Sequence, residues 1–227
     1  MANRPLLLGH RGARKYAPEN TINAFLAAMN DGCDGFEFDV RITADNQPVV
    51  CHDPKYHRLE VARSKFARLF ERCSELSILE DLLAVFQNQA FLNLELKVTG
   101  GEELVLAALR QSPPNKGLIV SSFLPKVIDR FDRLKADIAL GLICENRRQL
   151  AKWKDLPIQA VMLNRGLVSR KLVEELKSEG KQVFVWTVNS AREMKKFADV
   201  GVDGIISDDT KLLVETLRPN YRVRSSG

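Results

Sequence analysis

Three histidines occur in the chain, and two of them, His10 and His52, stand at the C-terminal ends of short apolar runs. Imidazoles titrate near neutrality, so such a pair can serve as general base and general acid. Two groups of acids stand close to apolar runs of their own. Glu37 and Asp39 alternate with Phe36, Phe38 and Val40. In Phe91–Val98, Asn93, Glu95 and Lys97 alternate with Leu92, Leu94, Leu96 and Val98. Side chains two apart in a strand share a face, so each segment has one apolar and one polar face. If the polar faces point into a core, Glu37, Asp39 and Glu95 need a compensating positive charge, since an unpartnered buried polar group costs about 1–3 kcal/mol. A hard divalent ion satisfies them, and an all-oxygen ligand set favours magnesium or calcium over zinc, with manganese admissible. A buried ion-pair network with Arg11 and Lys97 satisfies them as well, and spacing alone does not separate the two. An ion beside Arg11 and Lys97 suits a phosphate ester.

These residues need a scaffold that brings strand ends together. Strand-length apolar segments recur at Leu6–Gly9, Gly35–Val40, Pro48–Cys51, Phe91–Val98, Leu118–Ser121, Ile138–Ile143, Ala160–Leu163, Gln182–Val188 and Gly204–Ser207. Helical patterns follow most of them. Ile22, Phe25, Leu26 and Met29 recur at helical spacing within Thr21–Asn30, and Ser77-x-x-Glu80 and Ser190-x-x-Glu193 have the form of capping boxes. Alternating strands and helices without a linker predict an α/β protein, a closed (β/α)8 TIM barrel, whose strand ends form the active-site mouth. Nine strand candidates are one too many. Between Asp39 and Pro48 there is no room for a parallel crossover, so FEFDVRITADNQPVVCHD reads as a hairpin turning at Ala44–Asp45–Asn46. With Thr43 facing Asn46, that register sets Glu37 opposite His52. The predicted organisation is one catalytic barrel over 1–218, a short excursion at 54–76 forming a small insertion over the barrel mouth, and a flexible tail at 219–227.

Composition narrows the classes. At 45% hydrophobic and 28% charged, the chain is globular in type. Its net charge of +5 is spread along the sequence, which suits an anionic small molecule and does not mark a nucleic-acid binder. No apolar run approaches a membrane span, so stable membrane insertion is not expected. Four scattered cysteines without a C-x-x-C pair fit reduced thiols and a cytoplasmic protein. A homo-oligomer is compatible with the sequence.

Taken in order, His10-Arg11-Gly12, Pro18-Glu19-Asn20-Thr21, Glu37-x-Asp39, His52-Asp53, Asn93-x-Glu95-x-Lys97, Ser121-Ser122-Phe123, Trp186-Thr187-Val188-Asn189 and the stretch from Gly201 to Asp208 resemble the glycerophosphodiester phosphodiesterases, in particular their compact bacterial cytosolic members. The resemblance spans nearly the whole chain. It implies a metal-bearing barrel that hydrolyses glycerophosphodiesters to sn-glycerol 3-phosphate and an alcohol. By motif position it makes Glu37, Asp39 and Glu95 ligands of one divalent metal and His10 and His52 the acid–base pair. Arg11 and Lys97 become phosphate-binding residues, and Trp186 and Phe123 substrate-binding walls. Glu19 and Asn20 border the site, or Asn20 or Thr21 simply caps the first helix. The attacking oxygen is water or the substrate's own 2-hydroxyl. The chain departs from the family in lacking an L-x-R-T-T-x-G run after His52-Asp53, which implies a reduced cover and leaves the alcohol unspecified. Two alternatives keep the same residues: a phosphodiesterase of lysophospholipids or phosphoinositides, and a non-catalytic barrel that binds phosphorylated ligands.

Overall fold

A computed structural model describes residues 4–219. Eight parallel strands close into a barrel: β1 (Leu6–His10), β2 (Gly35–Ile42), β6 (Phe91–Leu96), β7 (Leu118–Ser122), β8 (Ala139–Cys144), β9 (Ala160–Asn164), β10 (Gln182–Trp186) and β11 (Gly204–Ser207). Pairing of β1 with both β11 and β2 completes the ring. Outside it lie α1 (Ile22–Asn30), α3 (Leu79–Phe86), α4 (Glu102–Gln111), α5 (Pro125–Arg133), α6 (Arg147–Leu150), α7 (Arg170–Ser178), α8 (Ala191–Val200) and α9 (Thr210–Leu217). The predicted TIM barrel is the observed fold. Among the described residues no helix is long and apolar enough to cross a membrane. The predicted tail, apart from Pro219, lies outside the described residues.

The surplus strand is β3 (Pro48–Val50), which pairs antiparallel with β2 outside the ring. Its register differs from the predicted one. Thr43 faces Gln47, and Asp39 O accepts from Cys51 N, so Glu37 does not face His52. The cause is the turn, which takes three residues between the paired positions. Asn46 adopts φ +62°, a conformation open to Asn, and Thr43 Oγ1 bonds both Asp45 and the Gln47 N–H. The extra residue shifts every cross-strand partner by one.

Two further local readings separate. Ser190 caps α8 by accepting from the Glu193 N–H. Ser77 caps nothing: α3 starts one residue later behind Ile78. The Ser77 carbonyl is taken by Val50 N–H and Ile78 bridges Val49, which holds this segment extended before the helix begins. Residues 54–76 hold the small hairpin β4 (Lys55–Tyr56) and β5 (Leu59–Glu60) and the helix α2 (Phe66–Phe70). Val61, Leu69 and Leu76 pack with Val49 and Cys51 into an apolar cluster of their own.

The outer face of β2 explains why its acids point inward. Phe36 and Phe38 are fully buried, Phe36 against Phe25 of α1 and Phe86 of α3 and Phe38 against Phe25, with Phe25 and Phe36 stacked 4.2 Å apart. Burying such a ring is worth about 2–3 kcal/mol, so turning the strand over would lose two of them. Inside the barrel, Leu8, Ile119, Met162, Phe184 and Ile206 fill the space below the mouth. Gly204 leaves room there: a Cβ on it would lie 2.2 Å from Phe184 Cδ1.

Candidate active site

The mouth holds a cavity of about 210 Å3. His10, Arg11, Glu37, His52, Asn93, Glu95 and Lys97 line it from β1 to β6, and Phe123, Ile143, Glu145, Met162, Trp186 and Ile206 from β7 to β11. All the predicted site residues except Asp39 border it directly, and Asp39 lies behind Arg11 and Lys97, 1% exposed. Most arrive on a strand end or the turn after it, while Glu37 and Asp39 lie within β2. Arg11 follows β1 in the left-handed region at φ +53°, and Gly12 continues at φ +83°. A Cβ on Gly12 would press to 2.6 Å from the backbone of Ala24, so only glycine lets this turn lie on α1. The result is that Arg11 N–H donates to Glu37 Oε2 (3.0 Å). His52 lies beyond the paired part of β3, held by its own carbonyl accepting from Arg41 Nε (2.7 Å).

Glu37, Asp39 and Glu95 are buried, and each offers an oxygen within 4.8 Å of the other two. The ion-pair network accounts for two of them. Lys97 Nζ reaches Glu95 Oε1 (2.6 Å) and Asp39 Oδ1 (3.3 Å), and Arg11 Nε lies 3.1 Å from Asp39 Oδ2. Arg11 is shared, because its Nη1 pairs with Glu19 (2.8 Å). Among the described residues Glu37 has only the Arg11 N–H and His10 Nε2 at 4.0 Å. The electrostatics follow. Burial opposes charge on Asp39, yet Lys97 and Arg11 hold its carboxyl below the usual range. Burial, together with Asp39 and Glu95, drives Glu37 well above it, and burial with Asp39 pushes Glu95 up to about 7. Lys97 and Arg11 are raised despite burial by the same acids. The protein cations thus leave a surplus of buried negative charge. Three oxygen donors converging with that surplus fit a hard divalent ion.

Asn20 and Thr21 divide the two tasks that the sequence left tied. Thr21 Oγ1 caps α1 by accepting from Ala24 N–H (3.2 Å). Asn20, at φ +59°, donates to Asp39 Oδ2 (2.9 Å) and accepts from Asp39 N–H (3.2 Å). Both histidines have carboxylate partners. His10 Nδ1 lies 2.7 Å from Asp208 Oδ1, and His52 Nδ1 lies 2.7 Å from Asp53 Oδ1. Burial, against the pull of Asp39, lowers His52 below the ordinary imidazole value. Asp208 was not singled out from the sequence. Its position directly after β11, a strand end, was the available signal. His57 sits exposed in the small hairpin, outside the site. Across the cavity, Trp186 Nε1 donates to Met162 O (3.0 Å), which fixes the indole, and Phe123 packs edge-on to it at 5.8 Å. None of the residues 54–76 lines the cavity; Lys55, Tyr56, His57, Glu75 and Leu76 border a smaller cleft shared with His52 and Glu19.

Residues 10–83 and 93–212 match the model of the glycerophosphoryl diester phosphodiesterase family. The chain belongs to that family. A glycerophosphodiester phosphodiesterase of Caldanaerobacter subterraneus subsp. tengcongensis is 30% identical to it over 94% of this chain and 98% of its own length. Solved structures agree on the fold. The Thermotoga maritima glycerophosphodiester phosphodiesterase superposes with a TM-score of 0.82 at 23% identity, covering 95% of this chain and 99% of that one. An Oleispira antarctica phosphodiesterase, solved in complex with the product sn-glycerol-3-phosphate, superposes with a TM-score of 0.79 at 24% identity, covering 94% and 96%. Membership of the family makes the chain a phosphodiesterase.

Proposed function

We propose that this phosphodiesterase hydrolyses glycerophosphodiesters to sn-glycerol 3-phosphate and an alcohol, with one divalent metal and an acid–base pair formed by His10 and His52. The observation that carries the reading is the convergence of three buried carboxylates, two imidazoles and two cations at one side of a cavity whose other side is largely apolar. Glu37, Asp39 and Glu95 would hold magnesium, calcium or manganese. Such an ion, when bound, stabilises negative charge developing on the phosphate oxygens. Arg11 and Lys97 face the non-bridging oxygens, and the Phe123–Trp186 wall receives the glycerol carbons. One imidazole takes the proton of the attacking oxygen, either water or the substrate's 2-hydroxyl, whose cyclic phosphate water then opens, and the other protonates the departing alcohol oxygen. The catalytic unit is the single barrel, with 54–76 as an insertion at the side of the mouth. Four unpaired thiols support a reducing compartment, the cytoplasm.

A panel of glycerophosphodiesters, assayed with chelator and after readdition of magnesium, calcium or manganese, tests this reading. Release of glycerol 3-phosphate that chelator abolishes and metal restores is expected. Full activity after rigorous chelation removes the metal from the reaction. Turnover of lysophosphatidylcholine in preference to glycerophosphocholine replaces the substrate class.

A further inference from the structure

We propose that Asp208 is a positioning residue that holds His10 in one tautomer, with Nδ1 protonated and the free Nε2 directed into the site. The inference rests on the reading of His10 as an acid–base residue and deepens it, because a neutral imidazole with a free Nε2 is the form that a base requires. The two residues are 198 positions apart and meet because β1 and β11 are neighbours in the closed ring. Gly9 pairs with Ser207, so the next positions out, His10 and Asp208, sit side by side at the mouth.

What fixes the tautomer is the way Asp208 is itself held. Its backbone N–H donates to Asn189 Oδ1 (2.9 Å), and Ser207 Oγ lies 3.1 Å from the same oxygen. A backbone N–H is always a donor, so the Asn189 amide has only one orientation. Its Nδ2 must then donate to Asp208 Oδ2, which lies 2.7 Å away. Oδ1 is left facing His10 Nδ1 at 2.7 Å, with Arg14 Nη1 at 3.7 Å on its flank. An ionised carboxylate only accepts, so Nδ1 carries the proton. Burial opposes charge on Asp208, but the bonds from His10 and Asn189 and the nearby Arg14 hold its carboxyl below the usual range, in the ionised form. His10 Nε2 points toward the acids, 4.0 Å from Glu37 Oε2. The partner of His52 is not braced in this way: Asp53 is 72% exposed, and none of the hydrogen bonds found for its side chain reaches past His52.

The geometry makes an unusual swap informative. In Asp208→Asn, Asn189 Nδ2 still demands an acceptor, so the new amide turns its oxygen to Asn189 and its NH2 to His10. Nδ1 must then accept, and the proton moves to Nε2. In the double variant Asp208→Asn/Asn189→Asp, position 189 becomes an acceptor and takes the NH2, which returns the amide oxygen to His10 Nδ1.

The test uses 15N-histidine-labelled, magnesium-loaded protein in long-range 1H–15N spectra at alkaline pH, with His10 assigned by the signals lost in His10→Gln. The wild type and the double variant are expected to show the Nδ1–H tautomer at His10, and Asp208→Asn the Nε2–H tautomer. In parallel, kcat of the single variant should fall about 100- to 10,000-fold, the range for a disabled acid–base group, with KM changed by less than about threefold, as expected for an interaction made only in the transition state. The double variant should recover to within about tenfold of wild type. A wild-type spectrum with the proton on Nε2 overturns the proposal without any variant. So does a single variant that keeps the wild-type tautomer and turnover, or a folded double variant as slow as the single. The parent reading fails separately, if His10→Ala turns over like the wild type whatever its tautomer was.

Discussion

The two sides of the barrel mouth are built from the same kind of element and do opposite things. Over β1, β2 and β6 the inward positions are His10, Glu37, Asp39, Glu95 and, just past the strand, Lys97. Over β7 to β11 they are mainly Ile143, Met162, Trp186 and Ile206, with Phe123 after β7 and one acid, Glu145, after β8. The apolar side is stable as it stands, since its side chains bury carbon against carbon. The polar side is not self-sufficient, because among the described residues no Lys or Arg side chain pairs with Glu37, and burial, Asp39 and Glu95 outweigh the pull of Arg11. Acids elsewhere show the contrast. At the opposite end of the barrel, Asp34 accepts from Leu7 N–H and pairs with Arg4 and Arg218. Nature of partner, rather than burial alone, separates an acid held ionised by cations from one whose charge the fold leaves uncompensated.

Breaking the polar side should give the largest effects. His52→Ala should lower kcat about 100- to 10,000-fold, and a wild-type-like kcat would end its assignment. Glu37→Gln should come next, with kcat down about 100- to 1,000-fold, as when one preorganised charge-stabilising group is lost. The same substitution should raise the melting temperature of chelated protein at alkaline pH, because an acid that burial, Asp39 and Glu95 make costly to ionise disappears. A fall would mean that Glu37 is structural. On the apolar side, Trp186→Ala should raise KM about tenfold, roughly the 1–2 kcal/mol of a lost apolar contact, and leave kcat nearly unchanged.

Stability against pH sharpens the contrast at lower magnitude. Glu95 is raised in the fold to about 7, so the folded state holds a proton that the unfolded state has released. In chelator, stability should therefore fall as pH rises from about 4.3, the unfolded value, through about 7. Saturating metal should remove that fall. Asp34 has the other sign. Burial opposes its charge, but Arg4, Leu7 N–H and Arg218 hold it below the usual range. Its contribution is present above the unfolded value near 3.9 and is lost as pH falls through its folded value. Asp34→Asn should cost about 1–2 kcal/mol at neutral pH and make denaturant midpoints less sensitive to acid below about pH 4.

Much of the polar side was legible because strand alternation is local. Phe36, Phe38 and Val40 against Glu37 and Asp39, and Leu92, Leu94 and Leu96 against Asn93 and Glu95, state which residues share a face without reference to any other part of the chain. The surplus strand was legible from the shortness of the segment before Pro48. The register of that hairpin was not, because it turns on whether Asn46 takes a left-handed conformation. The Ser77 cap was lost to a bridge with a strand nearly thirty residues earlier.

The sequence by itself determined the barrel, the inward acids and the motif membership of His10, Arg11, His52 and Lys97, since periodicity and spacing are properties of short stretches. Tertiary structure alone decided which acid goes without a cation, that Asn20 serves Asp39 while Thr21 caps the helix, and that Asp208 meets His10. Those outcomes depend on ring closure, which sets the last strand beside the first and so brings together groups that no local pattern relates.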